Sequence, residues 1–125
     1  SDMAVRGIRG AITVSRNGET EILEATRELM ERIIEANQIV PEDVCSLLIT
    51  VTNDLDAAFP ARAVRQLPGW DMVPIMCSLE IPVPNSLPLC IRFMLQVNTE
   101  KTQREMVHVY LREAKKLRPD LAHLS

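Results

Sequence analysis

Arg92 is the residue of this 125-residue chain that most requires a chemical explanation. It lies in Cys90-Ile91-Arg92-Phe93-Met94-Leu95-Gln96-Val97, whose alternation is that of a β-strand. Ile91, Phe93, Leu95 and Val97 share one face, and Cys90, Arg92, Met94 and Gln96 the other. A guanidinium keeps its proton and is costly to bury unless a carboxylate or an anionic ligand satisfies it. Arg92 is therefore either half of a structural ion pair, with Glu80 as a candidate partner, or the grip on an anion, and its strand alone leaves both open. Arg9 favours the grip. It stands on a second strand-like run, Ala4 to Val14, on a face shared with Val5, Gly7, Ala11 and Thr13. Two strands that each present an arginine among small or flexible neighbours leave room beside a cation, as a bidentate carboxylate site needs.

The other candidates are weaker on residue type alone. Glu80, isolated in an apolar, proline-flanked stretch, either accepts a hydroxyl or neutralises an arginine. Tyr110, the sole tyrosine, reads first as a core residue with a satisfied hydroxyl. Cys77 has no histidine near it in sequence and no triad spacing, which speaks against covalent catalysis. Arg62, Arg65 and Arg118 read as ordinary surface charges. The chain carries no GxGxxG, Walker or HExxH motif. Neither a metal nor a cofactor is expected, which leaves chemistry done by shape and charge.

These residues need elements to hold them. The Ala4–Val14 strand is followed by Asn17, placed to cap a long helix running to about Asn37, with Glu19 and Glu21 in its positive first turn and Ile22, Leu29 and Ile33 at helical spacing. Pro41-Glu42-Asp43 makes a turn. Ser46 to Thr52 reads as a strand covered on both faces, and Pro60 opens a short helix that Pro68-Gly69 stops. Val73 to Cys77 is a strand that Pro74 demotes to an edge or bulged position, and Glu80 to Pro88 is a proline-rich loop. After the Arg92 strand, Thr102 and Glu105 form a capping box for a helix carrying Met106, Val109 and Tyr110. Strands alternating with helices suggest an α+β or mixed α/β domain over residues 4–125, in packed layers. Ser1-Asp2 before Met3 reads as an expression remnant.

Composition narrows the function further. A net charge of -3 and a pI near 5.4 argue against nucleic acid, which draws on a clustered basic surface. No apolar run reaches the roughly 20 residues of a membrane span, and no signal-peptide layout opens the chain. The three cysteines, Cys45, Cys77 and Cys90, form no CxxC pair and suit free thiols. A cytoplasmic enzyme without membrane or nucleic-acid partners is the expectation.

Several segments, taken in order, resemble the AroH class of monofunctional chorismate mutases. They are Arg6-Gly7-Ile8-Arg9-Gly10-Ala11, then Asp54-Leu55-Asp56-Ala57-Ala58-Phe59-Pro60-Ala61-Arg62-Ala63-Val64-Arg65, Gly69-Trp70, and Val73-Pro74-Ile75-Met76-Cys77 with Glu80. Cys90-Ile91-Arg92, His108-Val109-Tyr110-Leu111 and Leu117-Arg118-Pro119-Asp120-Leu121 follow. The resemblance implies a homotrimer of pseudo-α/β-barrel form, with a mixed sheet against one long helix per subunit and active sites between subunits. It implies conversion of chorismate to prephenate in aromatic amino-acid biosynthesis. By position, it implies that Arg9 and Arg92 bind the substrate's carboxylate and ether region. Glu80 accepts from its hydroxyl and Tyr110 supports the side-chain carboxylate. Phe59, Ala61, Ile75, Cys77 and Leu117 line the pocket, and Arg62, Arg65 and Arg118 guide or close over the anion. Met76 stands where a small hydroxyl residue is expected in the pocket wall, and Pro84-Asn85-Ser86 replaces a more glycine-rich loop. Two rivals use a similar scaffold: a non-catalytic trimeric sensor of a carboxylated metabolite, and another small-molecule enzyme such as a Rid-type imine deaminase.

Overall fold

The computed structural model describes residues 3–118. Ser1-Asp2 and the Pro119-Asp120-Leu121 end of the last segment lie outside them. Strand β1 (Ala4–Thr13) is followed by helix α1 (Glu19–Asn37), strand β2 (Val44–Val51), the short helix α2 (Ala61–Arg65), strands β3 (Ile75–Leu79) and β4 (Cys90–Thr99), and a two-residue strand β5 (Val109–Tyr110). Single 3₁₀ turns occupy Pro41–Asp43 and Gln103–Glu105, and a six-residue 3₁₀ helix Arg112–Leu117. The five strands form one mixed sheet in the order β3-β2-β4-β1-β5. Strand β4 pairs antiparallel with both β1 and β2, while β3 and β5 add parallel edges.

One face of the sheet carries the core. Ile8 and Ile12 of β1, Leu47 and Ile49 of β2, and Ile91, Phe93 and Leu95 of β4 meet Ile22, Leu29, Met30 and Ile33 of α1. The period of two in the strands and of 3.6 in the helix supplies matching apolar surfaces. Gly10 sets how closely they approach: a Cβ there would stand 2.7 Å from Ile33 Cδ1 and 3.2 Å from Leu29 Cδ1. Of the two glycines of β1, Gly10 is the one on the face that α1 covers, and the helix packs closely there.

The opposite face is largely uncovered. Val5, Leu48, Met76 and Met94 are exposed on it, and among the described residues only the small cluster of Ala11, Cys90, Tyr110 and Ala114, with Leu87 and Leu117, packs at its β5 end. Within the chain β2 is thus covered on one side only, where cover on both was expected. Its burial alternates, with Leu47, Ile49 and Val51 inside and Leu48 outside.

Two helix signals also resolve differently from expectation. Helix α1 starts at Gly18 in extended conformation without a side-chain cap. Asn17 instead reaches across the fold: its amide nitrogen donates to Asp56 Oδ1 (2.7 Å), and its oxygen accepts the N–H groups of Asp56 and Ala57 (3.1 Å each). The Thr102–Glu105 capping box forms, but it closes a single 3₁₀ turn. Val109 and Tyr110 leave that turn as strand β5, because the Ala11 edge of β1 offers backbone partners that a surface helix would leave unpaired.

Candidate active site

The sheet register sets Tyr110, Ala11, Arg92, Thr50 and Ser78 abreast, one from each strand. Arg92 is at the centre of this row, on the face turned away from α1. Ala11 beside it is fully buried and too small to fill the space over its neighbour. The next row on the same face runs Arg9, Met94, Leu48, Met76. The two strand arginines therefore share a face one row apart.

Glu80 follows directly on β3. Its backbone N–H donates to the Val51 carbonyl (2.9 Å), extending the β2–β3 pairing by one residue. The Thr50 hydroxyl donates to Glu80 Oε2. The other carboxylate oxygen, Oε1, lies 3.8 Å from Arg92 Nη1. Around this pair opens a cavity of about 240 Å³ walled by Thr52, Cys90, Leu117 and the proline-rich loop through Ile81, Val83, Ser86 and Leu87. The loop is tied down where it joins β4: Asp54 Oδ2 accepts the Leu89 N–H (3.0 Å) and Thr52 Oγ1 accepts the Cys90 N–H (3.0 Å).

Burial keeps two titratable neighbours of the arginines neutral. Burial pushes the Cys90 thiol up to about 11 against the pull of the Arg92 guanidinium, so Cys90 is a neutral wall at physiological pH and not a thiolate. The Arg9 backbone N–H donates to His108 Nδ1 (2.9 Å), which requires that nitrogen to be unprotonated. Burial lowers the His108 pKa, and the Arg9 and Arg118 charges lower it further. The imidazole is thereby held neutral at neutral pH.

The remaining expected site residues fall elsewhere on the chain. Leu117 lines the Arg92 cavity, and Tyr110 is buried in the cluster beside it. Phe59, Arg62 and Cys77 line a second, wider groove of about 480 Å³ with Asp56, Ser78 and Leu79. Phe59 is 76% exposed there, and Arg62 also pairs with Glu19 of α1 at 2.8 Å. Ala61 and Ile75 pack into the main core. Arg65 is exposed on α2, and Met76 is 72% exposed in the Arg9 row. Ile75 and Cys77 alternate with Met76, so they point to the α1 side of the sheet and Arg92 to the other. A single chain thus carries the expected site residues in two separate pockets, on the two sides of edge strand β3. Thr50, Thr52, Asp54 and His108 escaped the sequence reading, since a threonine in a strand looks like β propensity until its cross-strand neighbour is known. Among the described residues no group of three or more His, Cys, Asp or Glu could hold a metal ion, and no helix is long and apolar enough to cross a membrane.

Residues 5–121 match the family model of chorismate mutase type I. The chain belongs to that family. It is an enzyme of the AroH class, and its relatives agree along nearly its whole length. It is 51% identical over 120 residues to chorismate mutase AroH of Bacillus subtilis, covering 96% of this chain and 94% of the relative. It is also 51% identical over 118 residues to chorismate mutase AroH of Thermus thermophilus, covering 94% and 96%. Among solved structures, a chorismate mutase from Clostridium thermocellum superimposes with a TM-score of 0.86 at 48% identity, covering 88% of this chain and 97% of that one. The mixed sheet backed by one long helix is thus the chorismate mutase fold.

Proposed function

We propose that the chain converts chorismate to prephenate in a site that two subunits of a homotrimer complete together. One observation carries the shared site. The Arg92–Glu80 cavity and the Phe59–Cys77 groove belong to one set of expected pocket residues, yet they lie on the two sides of β3 and do not close on each other within a chain. The uncovered sheet face with Val5, Leu48, Met76 and Met94 supports association, because an apolar patch of that kind usually marks an interface.

In this reading the substrate's C–O bond breaks as its new C–C bond forms, within one molecule and without a proton transfer. The protein's work is to hold the compact reactive conformer and to stabilise negative charge growing on the ether oxygen. Arg92 supplies that stabilisation. Glu80 Oε1 accepts the ring hydroxyl, Arg9 and Tyr110 hold carboxylate, and Leu117 closes one wall. A neighbour's Phe59 and Cys77 supply the other wall, backed by Ile75, with Arg62, Arg65 and Arg118 steering the dianion in. Ala61 is buried in the core, and Met76 faces the other side of the sheet. The free cysteines Cys45, Cys77 and Cys90 support a cytoplasmic setting.

Subunit mixing tests the shared site. Arg92→Ala and Phe59→Asp each disable one partial site, and co-expressed trimers containing both should regain turnover that neither has alone. Failure to regain it, with mixed trimers demonstrated, would mean that each subunit owns its site.

A further inference from the structure

Glu80 is held by Thr50. Thr50 stands directly opposite Arg92 across the β2–β4 pair and beside Ser78 across the β2–β3 pair, and its hydroxyl donates to Glu80 Oε2. The backbone of Glu80 is fixed by its N–H bond to the Val51 carbonyl at 2.9 Å. Main chain and side chain are thus anchored to two successive residues of β2. A glutamate otherwise has three rotatable side-chain bonds and would spread over several rotamers. Tying Oε2 to a strand leaves Oε1 alone to face the cavity, 3.8 Å from Arg92 Nη1. That spacing is too long for a hydrogen bond, so the pair does not close the site against a ligand.

From this geometry we infer that Thr50 is a positioning residue for the rearrangement: it commits one oxygen of Glu80 to the sheet so that the other is presented, with Arg92, to the substrate hydroxyl. The inference rests on the proposed role of Glu80 and adds the residue through which that role is set. Thr50 is placed to do this because β2 is the strand next to Arg92. A β-branched side chain there has few rotamers, and its hydroxyl can keep one direction.

The test uses the full-length enzyme and three variants. Thr50→Val keeps the β-branched shape and removes the donor, and Thr50→Ser keeps the donor. Glu80→Gln leaves a single acceptor oxygen, which cannot both take the Thr50 hydroxyl and face the cavity. Thr50→Val should lower kcat/KM about tenfold, the scale of a hydrogen bond to a charged group, with an unchanged melting temperature. Thr50→Ser should restore most of the loss. In the Glu80→Gln background, Thr50→Val should cost less than twofold, because the two residues act as one unit. A purely structural threonine would lower the melting temperature, lose equally in both backgrounds and show no rescue by serine. If Glu80→Gln is impaired while Thr50→Val matches wild type, this inference fails and the role of Glu80 stands. If Glu80→Gln itself matches wild type, the role of Glu80 fails, and the inference with it.

Discussion

Glu80 Oε1 and Arg92 Nη1 face each other at 3.8 Å, with 26% of the Glu80 side chain and 41% of the Arg92 side chain exposed. A pair so long and so open contributes at most about 1 kcal/mol to stability. It does not account for a strand that forgoes an apolar residue at its centre. The pair is better understood as two groups spaced by what fits between them. The ion pair exists, but its energy is small, which supports the grip on an anion that we propose for Arg92.

The uncovered sheet face leads to a prediction about assembly. Leu48 lies between Met94 and Met76 in the Arg9 row, so Leu48→Glu would bury a charge without a partner in any trimer built on this face. Sedimentation velocity should show a smaller species than wild type. Turnover should fall about a hundredfold or more as the neighbour's half of the site is misplaced. An unchanged sedimentation coefficient would exclude this face from the interface.

Gly10→Ala should destabilise the fold through overpacking. The added methyl would meet Ile33 Cδ1 at 2.7 Å and the Val109 carbonyl oxygen at 3.3 Å, so the tip of the fully buried Ile33 must move within a packed core. A cost of about 1–3 kcal/mol is expected, read from urea midpoints at fixed protomer concentration.

Asn17→Ala removes the three hydrogen bonds that tie Asp56 and Ala57 to the start of α1. About 1 kcal/mol of stability should be lost. The segment leads into Phe59, so KM should rise more than kcat falls. Equal effects on both parameters would separate this anchor from the groove.

His108 predicts a dependence on pH. Its pKa is lowered in the folded chain, first by burial and then by the Arg9 and Arg118 charges, so the unfolded state binds more protons below the ordinary value of 6.5. Stability is therefore full above that value and declines as pH falls through it toward the lower folded pKa. Denaturation midpoints between pH 7 and 5 should fall more steeply for wild type than for His108→Asn. Parallel slopes would mean that His108 carries no such linkage.

Much of this was legible in the sequence where a signal was periodic. The alternation through Cys90–Val97 put Arg92 on the face opposite Phe93 and Leu95, and the spacing of Ile22, Leu29 and Ile33 gave α1 to its last residue. Pro74 marked β3 as an edge or bulged strand, and it is an edge. Signals that depend on distant partners were not legible. Asn17 carries the chemistry of a helix cap, but its partners are 39 and 40 positions away. The Thr102 box is real, yet whether a helix follows depends on the open edge of β1. The division of the expected pocket residues by β3 emerges only with the sheet order, since Cys77 and Arg92 face opposite ways. Glu80 could be singled out as an isolated carboxylate, but not Thr50, because pairing two strands is what makes them neighbours.

The central claim is that Arg92 stabilises the charge that grows on the breaking bond. The most direct measurement is the rate at which Arg92→Ala, folded and assembled as wild type, consumes chorismate by absorbance at saturating substrate. The account predicts a fall in kcat of about a thousandfold or more, the loss expected when a preorganised donor to a developing oxyanion is removed, with a much smaller change in substrate affinity. Near-wild-type turnover, or a loss confined to affinity, would contradict it.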